Sequence, residues 1–221
     1  MNTDVVREAI DSRILSVSIC VHPWLKRTMP KLLCVYCSSS DRLDPKYFAA
    51  AEAFGRAMTA RGWGLVYGGG KTGLMGTVAR AVTSGGGRVV GVIPEFMIAR
   101  ELAYEQADEL ITVDTMRERK RLMEARADAF VALPGGWGTL EEIMEIMSLR
   151  SLDVHRKPCV FFDQDGFYTD LFRFFEKMTR ERFNKPSHRE LFAVAATVDE
   201  VFAQLDTCRP TPAESKWFDT H

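Results

Sequence analysis

The residues able to do chemistry gather in three short stretches. "YGGGKTGLMG" (67–76) joins a glycine-rich turn to a lysine and a threonine, types that cradle a phosphate with backbone N–H groups and a cation. "ALPGGWGTLEE" (132–142) repeats the device with Gly135, Gly136 and Gly138, and adds the carboxylates of Glu141 and Glu142. "TMRERKRLMEARAD" (115–128) supplies Arg117, Arg119, Lys120, Arg121 and Arg126, cations suited to clamping an anion. Two glycine loops with bare backbone amides suggest a cleft for a single phosphorylated ligand.

Each stretch also has a competing reading. Gly70-Lys71-Thr72 looks like the end of a Walker A loop, but the glycine that loop requires five positions before Gly70 is Leu65, inside a strand. Gly68, Gly70 and Gly73 fit the spacing of a dinucleotide-binding turn, which needs an acidic residue after the next strand; Glu95 stands there. An oxidoreductase using a nicotinamide cofactor is therefore a rival, opposed by the second glycine loop. Thr139-Leu140-Glu141-Glu142 reads as a capping box, which would make Glu142 a residue that bonds back to its own helix start. In that reading Leu140, Ile143, Met144 and Met147 form the buried stripe, with Glu141 and Glu145 toward solvent. The basic helix is by default a solvated face with Glu118 and Glu124 as local partners.

The elements that must position these residues alternate regularly. Strands are expected at 31–37, 64–67, 88–93, 109–113, 129–133 and 158–162, and helices at 45–61, 73–84, 115–127 and 138–151. Short, continuously apolar strands separated by helices predict an α/β fold, a Rossmann-like doubly wound and mostly parallel sheet with helices on both faces. Both glycine loops then leave carboxyl ends of strands, where such sheets bind ligands. One domain is expected over 31–208. Residues 1–30 read as a poorly ordered extension, with Met29 a candidate natural start, and 209–221 as a flexible tail.

Composition removes other classes. The 221 residues are 46% hydrophobic and 27% charged with a net charge of −1, which offers nothing to nucleic acid or an acidic membrane. No apolar run approaches membrane-spanning length. Five scattered cysteines are no disulfide framework and point to a reducing cytoplasm. Cys34 and Cys37 form a C-x-x-C inside an apolar strand, where they should face opposite ways as core residues rather than hold a metal.

"GGGKTGLMG", "RERK" and "PGGWGTLEE", in this order, resemble the LONELY GUY (LOG) family, nucleoside 5′-monophosphate phosphoribohydrolases that activate cytokinins and are often mislabelled lysine decarboxylases. The resemblance runs from about Lys31 to Leu205 and takes in "VIPEFM", "REL" and "HRKP". It implies hydrolysis of the N-glycosidic bond of an adenosine 5′-monophosphate, with or without an N6 substituent, to free base and ribose 5-phosphate. Carried over residue by residue, it makes Arg119 and Glu142 the catalytic pair. Substrate contacts would come from Glu101, Arg119, Lys120, Gly136, Trp137, Gly138, Thr139, Leu140, Glu141, Glu142 and Ser148. Gly69, Gly70, Lys71, Thr72 and Gly73 would approach the phosphate; Lys71 departs from the small residue usual in the family. The resemblance implies no metal, no organic cofactor and at least a homodimer. A nucleotide or cofactor carrier on the same fold is the alternative, and the presence of both Arg119 and Glu142 weighs against it. Glu142 is expected near the start of its helix, ionised by the helix dipole.

Overall fold

A computed structural model describes residues 30–98 and 102–207. Glu101 and the expected extension and tail, apart from Pro30, lie outside the described residues.

Seven strands form one parallel sheet: β1 (Leu32–Tyr36), β2 (Gly64–Tyr67), β3 (Val89–Pro94), β4 (Glu109–Val113), β5 (Ala129–Ala132), β6 (Cys159–Phe162) and β7 (Ala193–Ala195). Their order is β4-β3-β2-β1-β5-β6-β7, every neighbouring pair parallel. Helices α1 (Pro45–Ala60), α2 (Gly73–Ser84), α3 (Glu95–Ile98), α4 (Met116–Arg126), α5 (Trp137–Ser151), α6 (Thr169–Arg180) and α7 (Val198–Thr207) make the connections, with short 3₁₀ turns at Gln164–Gly166 and Pro186–Leu191.

Strands β1, β2, β3, β5 and β6 are buried along their whole length, as a sheet covered on both sides requires. One core contains Leu33, Val35, Phe54, Val78 and Phe202 and lies under α1, α2 and α7. The other contains Cys34, Phe130, Met123, Ile143 and Phe161 and lies under α4, α5 and α6. Cys34 and Cys37 fall in different cores, and both are buried free thiols. Burial drives both thiols far above their ordinary range, which leaves them unreactive.

Sheet order reverses between β1, which leads to β2, and its other neighbour β5. Both glycine loops open beside that point, one after β2 and one after β5. The expected elements stopped at residue 162, so α6, β7 and α7 were missed. β7 is only Ala-Val-Ala, too short for a periodic signal, whereas α6 has a clear apolar face at Leu171, Phe172, Phe175 and Met178 whose period was passed over.

Candidate active site

The site is built where the first turn of α4 crosses the carboxyl ends of β2 and β3 and meets α5. Thr115 caps α4, its side chain accepting from the Glu118 N–H at 3.1 Å, and this fixes where the helix starts. Three residues inside that start, Arg119 turns inward beneath α5. Its Nη1 donates to Glu142 Oε1 at 2.6 Å, and its Nε donates to the Val92 carbonyl at 3.2 Å. Only 6% of the Arg119 side chain and 10% of the Glu142 side chain reach solvent. A charge pair this buried is costly to assemble unless each member holds the other, so its presence here constrains both helices.

Glu142 is therefore no capping residue. α5 begins at Trp137 with Gly136 as its cap, and no side chain closes that end. Thr139 lies buried within the first turn, and Glu142 is in the second, too far along to serve the helix start. The buried face consists of Thr139, Glu142, Ile143, Ile146 and Arg150, while Leu140, Met144 and Met147 are half-buried; the expected stripe was set one position off. The expected effect of the helix dipole is also corrected. Burial raises the Glu142 carboxyl above the ordinary carboxylate range, and the adjoining Arg119 guanidinium opposes that rise without cancelling it.

Around this pair the other expected residues divide. Lys120, one residue on, binds Glu141 and also Glu145 at 2.9 Å, so α4 and α5 are clasped twice, once in the core and once at the surface. Burial opposes the Lys120 charge, but the bonds from Glu141 and Glu145 outweigh it and raise its pKa. Trp137 stands 89% exposed at the start of α5 between Gly136 and Gly138. Ser148 is exposed on another side of α5, in a groove with Met144, Met147, Phe172 and Phe175, away from the Arg119–Glu142 pair.

The two glycine loops differ in what their helix starts offer. At α2, the Gly73 N–H donates to Asp41 Oδ1 at 2.7 Å, and the Leu74 and Met75 N–H groups donate to the Ser38 carbonyl at 2.9 and 3.3 Å. Those amides are already occupied, so Gly73 is not available to a phosphate as expected. Lys71 donates its N–H to Leu102 at 2.8 Å and leaves its side chain exposed. At α5, nothing among the described residues accepts from the Trp137, Gly138 or Thr139 N–H groups. The loop before them is pinned by Tyr168, whose hydroxyl donates to the Leu133 carbonyl at 2.6 Å, and by the Ser38 N–H donating to the Pro134 carbonyl at 3.3 Å. Sequence reasoning missed Asp41, Val92 and Glu145. Asp41 follows a strand end, a usual place for a capping carboxylate, whereas a backbone carbonyl such as that of Val92 leaves no mark in residue types.

Residues 75–205 match the family model described as "Possible lysine decarboxylase", more than half of the chain. A probable cytokinin riboside 5′-monophosphate phosphoribohydrolase of Oryza sativa subsp. japonica, LOGL9, is 44% identical over 178 residues, covering 80% of this chain and 78% of the relative. Cytokinin riboside 5′-monophosphate phosphoribohydrolase LOG7 of Arabidopsis thaliana is 42% identical over 180 residues, covering 81% of this chain and 83% of the relative. Among solved structures, the molybdenum cofactor carrier protein of Chlamydomonas reinhardtii superposes with a TM-score of 0.63 at 20% identity, over 81% of this chain and 98% of the other. The molybdenum cofactor binding protein of Rippkaea orientalis gives 0.63 at 16% identity over the same shares. At such low identity these two establish the fold alone.

Proposed function

The chain belongs to the LONELY GUY (LOG) family, and we propose that it is a nucleoside 5′-monophosphate phosphoribohydrolase. It hydrolyses the N-glycosidic bond of AMP or its N6-substituted forms, adding water across C1′–N9 to give free base and ribose 5-phosphate. The observation that carries this reading is the buried Arg119–Glu142 pair beside the start of α5, which no side chain caps. The Trp137, Gly138 and Thr139 amides at the positive end of α5 receive the 5′-phosphate. As the C1′–N9 bond breaks, its electrons leave with the base and positive charge builds on the ribose. The Glu142 carboxylate stabilises that charge and takes a proton from the attacking water, a role suited to a carboxyl whose affinity for protons is already raised. Arg119 keeps Glu142 ionised and adds a fixed positive charge beside the site. A guanidinium does not serve as the proton carrier. Trp137, exposed at the start of α5, offers an aromatic face to the base.

The decarboxylase description of the matching family model would require pyridoxal phosphate on a lysine. On the site's elements, Lys71 is exposed, and Lys120 is held charged by two carboxylates, so these residues do not fit that group. We place the protein in the cytoplasm, where the buried thiols Cys34, Cys37 and Cys159 stay reduced. Among the described residues no helix is long and apolar enough to cross a membrane. We assign a homodimer to the face of α5 and α6, where Leu152 and Phe183 are exposed beside Met147 and Phe172.

The test is a panel of adenosine, guanosine and cytidine 5′-monophosphates with N6-isopentenyl-AMP, assayed for free base. Adenine or its N6-substituted form should be released from the adenosine nucleotides. Recovery of every nucleotide intact would mean a carrier.

A further inference from the structure

Gly68 is the first residue past β2, and nothing in its own backbone requires glycine: its φ lies outside the left-handed region that Gly69 and Gly73 occupy. What it lacks is room. A Cβ built there would fall inside the Nη2 atom of Arg119, 2.7 Å from its Cζ and 3.2 Å from its Nε, and those three Arg119 atoms are its nearest neighbours. Other glycines of the same loop differ. A Cβ on Gly73 would meet the backbone of Ser38 and Ser40, each at 2.7 Å, and one on Gly76 would meet the Lys71 carbonyl. Those positions are closed by fixed backbone, whereas Gly68 is closed by one side chain.

The guanidinium thus pushes its Nη2 corner into the space that a Gly68 side chain would fill, with Nε turned to the Val92 carbonyl and Nη1 to Glu142. Val92 and Glu142 supply the hydrogen bonds, and Gly68 supplies the room that lets the fork reach both together. We infer that Gly68 is a positioning residue for the reaction: its missing side chain leaves the room in which Arg119 reaches Glu142. This deepens the reading above and rests on Arg119 and Glu142 being the reacting pair. The first glycine of the loop then serves the protein's own arginine, while the substrate's phosphate is held at α5.

An alanine at position 68 would push the Nη2 corner out of that space and the guanidinium away from Glu142. With that neighbour displaced, burial acts on the Glu142 carboxyl with less opposition, and its protonation moves to higher pH. The test is a cycle in the full-length chain of Gly68→Ala, Arg119→Ala and the double variant, reading melting temperature, adenine release from AMP and the pH dependence of that release. Gly68→Ala should melt a few degrees lower, release adenine at least about tenfold more slowly and show its acidic limb at higher pH. In the Arg119→Ala background the same substitution should change the rate by less than about twofold and leave the melting temperature within about a degree. A double variant that accumulates as folded protein where Gly68→Ala does not would support the inference equally. A full additional loss in the Arg119→Ala background, in rate or in stability, would overturn it, as would a Gly68→Ala protein that matches the wild type. Absence of adenine release from the wild type would defeat the proposed reaction, and the melting cycle would still decide whether Gly68 holds Arg119.

Discussion

At the scale of single residues, the site depends on one carboxylate and what surrounds it. Glu142 is buried, which raises its pKa, and Arg119 beside it keeps the ionised form accessible. The sign of the pH dependence follows. The ionised carboxylate is the active form, so turnover should fall as pH drops through the raised value. The acidic limb of kcat/KM should therefore lie above the ordinary glutamate range of about 4.3. A rate profile for AMP from pH 4 to 8 checks this, and activity holding level down to the ordinary glutamate range would contradict it. Residue types alone pointed to Arg119 and Glu142 only through the family motifs. On local grounds Glu142 also fitted a capping box, because Thr139-x-x-Glu142 satisfies that pattern whatever lies opposite. The deciding fact, a guanidinium arriving from a helix 23 residues earlier in the chain, is a tertiary contact that local spacing does not encode.

At the scale of elements, the sheet and its first four long helices were readable because their signals are strong. Continuous apolar runs marked β1 to β6, and Thr115 marked the start of α4. β7 was not readable, since three small residues carry no period, whereas α6 and α7 do carry helical apolar spacing, at Leu171, Phe172, Phe175 and Met178 and at Val198, Val201, Phe202 and Leu205, that went unread. The glycine loops looked equivalent in sequence and are not. The start of α2 is closed by Asp41 and Ser38, while the start of α5 is open. The open start should make the 5′-phosphate decisive for the substrate. Losing several charge-assisted bonds, each worth about 1.5–3 kcal/mol, should leave adenosine with kcat/KM at least about 10²-fold below that of AMP. Parallel assays of the two for free adenine test this, and equal turnover would remove the phosphate from α5.

At the scale of the whole molecule, one sheet brings α4 and α5 together over its switch point and leaves the far side of α5 apolar. Ser148, named by resemblance as a substrate contact, faces that second side rather than the Arg119–Glu142 pair. Light scattering at micromolar concentration should give a mass of about 50 kDa or more against 24.9 kDa for one chain. Met147→Glu in the groove should lower it toward the monomer, and a wild-type monomer would refute the assigned face. The reaction itself is tested most directly by adenine release from AMP by Glu142→Gln, with Glu141→Gln as the control. Glutamine keeps an acceptor for Arg119 but not the negative charge, so Glu142→Gln should fold, melt a few degrees lower for the unpaired guanidinium, and release adenine at least about 10²-fold more slowly. Glu141→Gln should stay close to wild type, and a Glu142→Gln protein that cleaves AMP at the wild-type rate would contradict the catalytic assignment.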